Sequence, residues 1–206
     1  MYLRDKYLKN DRTYIFDFIQ MHPFAILVLN GNELLATHIP ILAEGTAEKF
    51  RLYGHIAHSN EQFSHLQNNT QALLIFQGPQ AYVSSSWYRE KEISTWDYSA
   101  VHINVDLFVQ SAKELEFSLR KLVSRFEKEQ KCPLFYDDIP KEILEENLPL
   151  IKGFWCEPTK IQAIAKFHQE FEKEDIESVI AHLTEQKDQL AHEVSKNIQT
   201  EHGKNY

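Results

Sequence analysis

Apolar and polar positions along this chain change period several times, and the changes mark out its elements. FAILVLN (24–30) is a continuous apolar run closed by Asn30-Gly31-Asn32, which predicts a buried strand entering a turn. ELLATHIPIL (33–42) then reads as a second strand, paired with the first as a hairpin. FRLYGHIA (50–57) is a third strand and QALLIF (71–76) a fourth. QAYVSSSWY (80–88) alternates aromatics and hydroxyls and reads as a fifth, with Gln77-Gly78-Pro79 as the turn between the two. TWDYSAVHINVDLFVQ (95–110) predicts one long strand, and LIKGFWCE (150–157) a strand partnered by PTKIQAIAKF (158–167).

Between these runs the period moves to that of a helix. Asp11 or Thr13 can cap a short helix through YIFDFIQ, which His22-Pro23 must end because a residue before proline avoids helical geometry. Ser59 or Asn60 can cap NEQFSHLQ, and Ser111 can cap AKELEFSLRKLVSRFEKEQ. A short helix is expected over 140–148. The tail at 175–198 repeats apolar residues at helical spacing but is interrupted at Gln186-Lys187-Asp188. Two helices, the second capped by Asp188, and one long helix both fit. Six or seven strands in sequential antiparallel order with short links predict an α+β fold, a closed or half-closed barrel carrying peripheral helices.

Composition narrows the function classes. The formal net charge of -8 over 206 residues argues against direct binding of nucleic acid, whose phosphates select a basic face. The two cysteines, Cys132 and Cys156, lack the spacing of a disulfide framework or zinc site. No stretch has the length and apolarity of a membrane helix or signal peptide, so a cytoplasmic protein is the expectation.

Candidate chemistry sits where polar groups interrupt apolar strands: Thr37-His38, His55, Gln77 and His102. Each alone fits a solvated strand position or a core histidine bonded to a carbonyl; recurrence on several strands favours a shared binding role. His55-x-x-His58 does not place both rings on one face of a strand, and no carboxylate or cysteine completes a metal set. Ser84-Ser85-Ser86 lacks the glycines of a nucleophile elbow, and no phosphate loop or dinucleotide fingerprint occurs. The one phosphate candidate is the predicted helix start at His58, Ser59 and Asn60, whose backbone N–H groups could meet an anion; an ordinary capped surface helix reads equally well.

These residues resemble a known family, the PaiB-like FMN-binding negative transcriptional regulators. The resemblance runs nearly end to end, through MYLRDKY, HPFAILV, LLATHIPIL, RLYGHIAHSN, LLIFQGPQAYVSSSWY, STWDYSAVH and LIKGF. It implies a split β-barrel like that of pyridoxine-phosphate oxidase over 1–170, with a C-terminal helical tail at 171–206 packed on the same domain. It further implies a homodimer with FMN at the subunit interface. Carried over by position, Thr37, His38, His55, Asn60, Gln77, Tyr82, Ser84, Trp87, Thr95, Trp96, Tyr98 and His102 match the family pattern; phosphate contacts are expected from His55, His58 and Ser59, ring or ribityl contacts from Thr37, His38, Gln77, Lys166 and Gln169, and further cofactor contacts from Asn60, Tyr82, Ser84 and Trp96. The chain departs from the pattern at His58, where relatives carry Arg or Lys. It departs again over Ile164–Glu170, where only Lys166 and Gln169 of the relatives' polar set remain. The family's role is repression of protease synthesis and sporulation. Alternatives are a flavin-dependent oxidoreductase with a nicotinamide donor, and a flavin-free dimeric scaffold acting through a protein partner.

Overall fold

A computed structural model of the protein describes residues 1–2 and 4–203. Among the described residues, seven strands form one antiparallel sheet in the order β2-β1-β5-β6-β7-β4-β3. They are β1 (Phe24–Asn30), β2 (Leu34–Pro40), β3 (Leu42–Gly45), β4 (Phe50–Ala57), β5 (Thr70–Val83), β6 (Thr95–Val109) and β7 (Ile151–Lys166). Five helices accompany them: α1 (Arg12–Met21), α2 (Ala112–Glu127), α3 (Lys141–Asn147), α4 (Lys173–Glu185) and α5 (Gln189–Glu201). The chain divides into two compact units, to both of which β5, β6 and β7 contribute residues.

One unit comprises residues 16–76 and 102–161. Its first hairpin is the predicted one, with Phe24 opposite Pro40 and Asn30 opposite Leu34. Alternation buries Ala25, Leu27 and Leu29 on one face of β1. The expected strand over 33–42 is divided in two, however. Pro40 offers no N–H, and Ile41 N donates instead to Pro23 O at 2.7 Å. Past that point the chain leaves β1 and pairs as β3 with β4, Leu42 opposite Tyr53. The expected helix over NEQFSHLQ is only a 3-10 turn, Glu61–His65, capped by Asn60. Helix α2 starts at a full capping box, in which the Ser111 and Glu114 side chains bond each other's backbone N–H groups. Trp155 on β7 donates Nε1–H to Glu114 at 3.0 Å and lies under the Arg51 guanidinium, 3.5 Å from the ring centroid.

The other unit comprises residues 1–15, 77–101 and 162–206. Its core joins strand residues Ala81, Val83 and Ala165, and Phe167 just past β7, to helix residues Ile176, Val179, Leu183, Ala191, Val194 and Ile198, all at most 4% exposed. The tail is two helices: Asp188 Oδ1 accepts from Leu190 N at 3.0 Å and starts α5. The N-terminal segment lies against β7 through the Leu8–Ile164 bridge, and Lys9 Nζ grips both carboxylate oxygens of Glu201 at 2.7 and 2.6 Å.

Two predicted strand pairs are single strands. Gln77-Gly78-Pro79 is not a turn; β5 runs through it, with Gly78 and Pro79 both buried. The restriction on a residue before proline is toward extended geometry, so Gly78-Pro79 serves a strand as well as a turn. Likewise Pro158 does not separate a hairpin. The β4 pairing ends at Leu52 opposite Cys156, so the N–H that Pro158 lacks is not required on that side of β7.

Candidate functional site

Strand alternation decides which polar groups face outward, and within each unit the predicted site residues separate into engaged and unengaged sets. In the unit containing β1 to β4, Asn60 Nδ2 donates to Thr37 Oγ1 at 2.9 Å, while Asn60 Oδ1 accepts from Gln62 N at 2.9 Å. One amide thereby fixes the β2 hydroxyl and caps the turn that follows. His38 stacks on Phe24 at 6.1 Å, and His58 meets the edge of Phe63 at 4.6 Å. His55 is half-buried opposite Gly153, and burial lowers its pKa below the usual imidazole value. The N–H groups of the short turn are already used: Gln62 N by the Asn60 side chain and Phe63 N by Asn60 O at 2.9 Å. Ser59 precedes this cap on an exposed corner.

In the second unit, Tyr82 on β5 and Trp96 on β6 stand side by side with ring centroids 6.1 Å apart, 46% and 55% exposed. Large aromatics on a sheet face bury strongly when a partner surface is available. The Tyr82 hydroxyl, the Trp96 indole N–H and the exposed Gln77 amide make no hydrogen bond to another described residue. Ser84 follows β5 and caps the 3-10 turn Ser85–Trp87, its hydroxyl 2.8 Å from that of Ser86.

Lys166 and Gln169 turn inward. Lys166 Nζ donates to Thr95 Oγ1 and, at 2.7 Å, to Trp96 O; it lies 3.7 Å from Asp97 Oδ1. Burial lowers its pKa, against the pull of Asp97. Gln169 Nε2 donates to Ala165 O at 2.7 Å, and its Oε1 accepts from Phe167 N at 2.9 Å.

A buried polar cluster in this unit was not foreseen from sequence. Asp97, fully buried, accepts from His168 Nδ1, and His168 Nε2 faces the Tyr88 hydroxyl at 2.8 Å. A carboxylate only accepts, so the imidazole proton sits on Nδ1 and Tyr88 donates to Nε2. His168 is 2% exposed and Tyr88 8%; Asp97 Oδ1 has no hydrogen-bond donor. Asp97 was legible only as the inward member of an alternating strand, whereas His168 follows the end of β7 without any periodic context.

No group of described residues has the make-up of a metal site, and no described helix is long and apolar enough to cross a membrane. A family model described as "Putative FMN-binding domain" matches residues 1–160. The "Protease synthase and sporulation protein PAI 2" of Bacillus subtilis is 29% identical over 197 residues, 95% of each chain. Among solved structures, an FAD and heme binding protein from Mycobacterium smegmatis aligns with a TM-score of 0.60 at 14% identity, covering 83% of this chain and 79% of that one. The flavocytochrome Anf3 from Azotobacter vinelandii aligns with a TM-score of 0.53 at 14% identity, covering 77% and 71%. The fold is accordingly the mostly antiparallel split barrel of flavin-binding proteins, with peripheral helices. By the match over residues 1–160, the chain belongs to the FMN-binding domain family.

Proposed function

We propose that this protein binds FMN by laying the flavin ring on the Tyr82–Trp96 face, and that it does so as a homodimer whose second copy covers that face. The observation that carries the reading is the pair of half-exposed aromatics beside unengaged donors. A planar heteroaromatic ring bearing carbonyl and ring-nitrogen acceptors fits this chemistry: rings to stack on, and a hydroxyl, an indole N–H and an amide to orient it. Bound there, the flavin would supply one- or two-electron chemistry, while the protein holds the ring and excludes water. Lys166 and Gln169 support this face from behind, since their donors are spent on β6 and β7 backbone and side-chain acceptors. Within the unit of β1 to β4, His55, His58 and Ser59, with Thr37, His38 and Asn60, are carried forward as candidate anion contacts in their own right, tested by their own variants.

The test is the visible spectrum of freshly purified protein, a titration with FMN and the sedimentation of the loaded protein. The expected result is saturable binding with Kd on the order of micromolar, weakened by Trp96→Ala, in a dimer. Absence of flavin absorbance together with no change on titration would sink the reading.

A further inference from the structure

The Tyr88–His168–Asp97 chain is buried and is not used by the cofactor reading above. Its geometry is that of a proton path: a hydroxyl 2.8 Å from an imidazole nitrogen, whose other nitrogen is bonded to a fully buried carboxylate. The Tyr88 ring is stacked on Phe171 at 5.1 Å and on His168 at 5.9 Å, and the residue is 8% exposed. Burial does not bar electron transfer, because an electron crosses packed protein without contact between donor and acceptor.

We infer that Tyr88 is a redox-active tyrosine whose one-electron oxidation is coupled to transfer of its phenolic proton to His168. In the step, one electron leaves the Tyr88 ring for a one-electron oxidant, the O–H bond breaks, and a new N–H bond forms at His168 Nε2. The products are a neutral tyrosyl radical and an imidazolium paired with Asp97; returning the electron reverses both transfers. The stepwise routes are expensive. Oxidation without proton loss would leave a cationic phenol in a buried site. Proton loss to solvent before oxidation is disfavoured as well, because burial and the nearby Asp97 charge raise the Tyr88 pKa. Moving the proton along an existing hydrogen bond toward an anion avoids both costs.

Two further features set this cluster apart from an ordinary core network. His168 is held in the left-handed region at φ 59, a conformation unfavourable for a residue with a Cβ and retained where the surroundings over-determine it. Asp97 Oδ1 accepts no hydrogen bond although fully buried and has the Lys166 ammonium 3.7 Å away, so the carboxylate stays anionic in character beside an imidazole that gains charge. A light-excited flavin is the class of oxidant that the proposed function would supply. Only that choice of acceptor rests on the flavin reading; the redox property of Tyr88 does not.

The test uses the full chain without added flavin, oxidised by a photoexcited ruthenium polypyridyl with a sacrificial acceptor, and read by transient absorption and electron paramagnetic resonance. The expected result is a tyrosyl radical with an exchangeable proton coupling from the imidazolium, formed more slowly in deuterated buffer and lost in Tyr88→Phe. His168→Gln should abolish the isotope effect and the exchangeable coupling while circular dichroism shows the variant folded. A wild-type radical signal unchanged by Tyr88→Phe, or one without exchangeable coupling, overturns the proposal. Because FMN takes no part in this measurement, its failure and a failure to bind FMN are separate results.

Discussion

Replacing Asp97 tests whether the buried cluster is held together by charge. The carboxylate is fully buried and serves two partners, His168 through Oδ2 and the Lys166 ammonium 3.7 Å from Oδ1. Asp97→Asn keeps the shape and one acceptor for the His168 N–H but removes the charge, so the expected loss is about 1.5 to 3 kcal/mol, the worth of a hydrogen bond to an ionised group. Asp97→Ala also strands both partners; breaking a buried ion pair from one side costs about 3 to 5 kcal/mol. Against a total stability of about 5 to 15 kcal/mol, the alanine variant should be close to unfolding while the asparagine variant stays folded. Urea denaturation read by circular dichroism separates the two. If Lys166 carries part of the effect, Asp97→Asn should cost less in a Lys166→Met background, and a double-mutant cycle reports the difference. An Asp97→Asn variant within about 0.5 kcal/mol of the parent, the scatter of a surface change, would refute this account.

Other expectations follow from the same structure. Burial lowers the His55 pKa from 6.5, so the folded state binds that proton less readily than the unfolded chain. Its contribution to stability is intact above the unfolded value and is lost as pH falls through it toward the folded value; His55→Gln should flatten the acid side of a stability profile measured by urea titration. Ser111→Ala removes one arm of the α2 capping box and should lower stability by about 1 kcal/mol in the same assay. His58→Lys adds a fixed cation at a candidate anion contact, and fluorescence titration should show FMN affinity raised by about fivefold, the worth of a partly exposed ion pair near 1 kcal/mol. An unchanged Kd would remove His58 from the site.

The hairpin of β1 and β2, the long β6 and the capped α2 were legible in sequence, because each rests on local period and capping chemistry; the tail left one helix and two equally open, and the structure divides it at Asp188. The misreadings share one cause. At Gln77-Gly78-Pro79 and at Pro158 the local signal for a turn is genuine, but proline and its preceding residue are also compatible with extended backbone, and sheet pairing made the choice. At Pro40 the opposite happened: a strand pattern that continues on both sides of the proline hid a change of strand partner. Tyr82 and Trp96 could be named only through the family resemblance, and their pairing came with the structure. His168 could not be named at all, since its role depends on Asp97 and Tyr88, 71 and 80 residues away in the chain.

The unit built from residues 1–15, 77–101 and 162–206 has a temporal consequence. During synthesis its strand residues Ala81 and Val83 emerge well before Ile176, Val179, Val194 and Ile198, the helix residues that bury them. Until the last helix leaves the ribosome, that apolar surface is uncovered, which makes the nascent chain a substrate for holding factors and a risk for aggregation. Truncation within α5 should prolong this state indefinitely, yielding a chain that is soluble only while something else covers the gap.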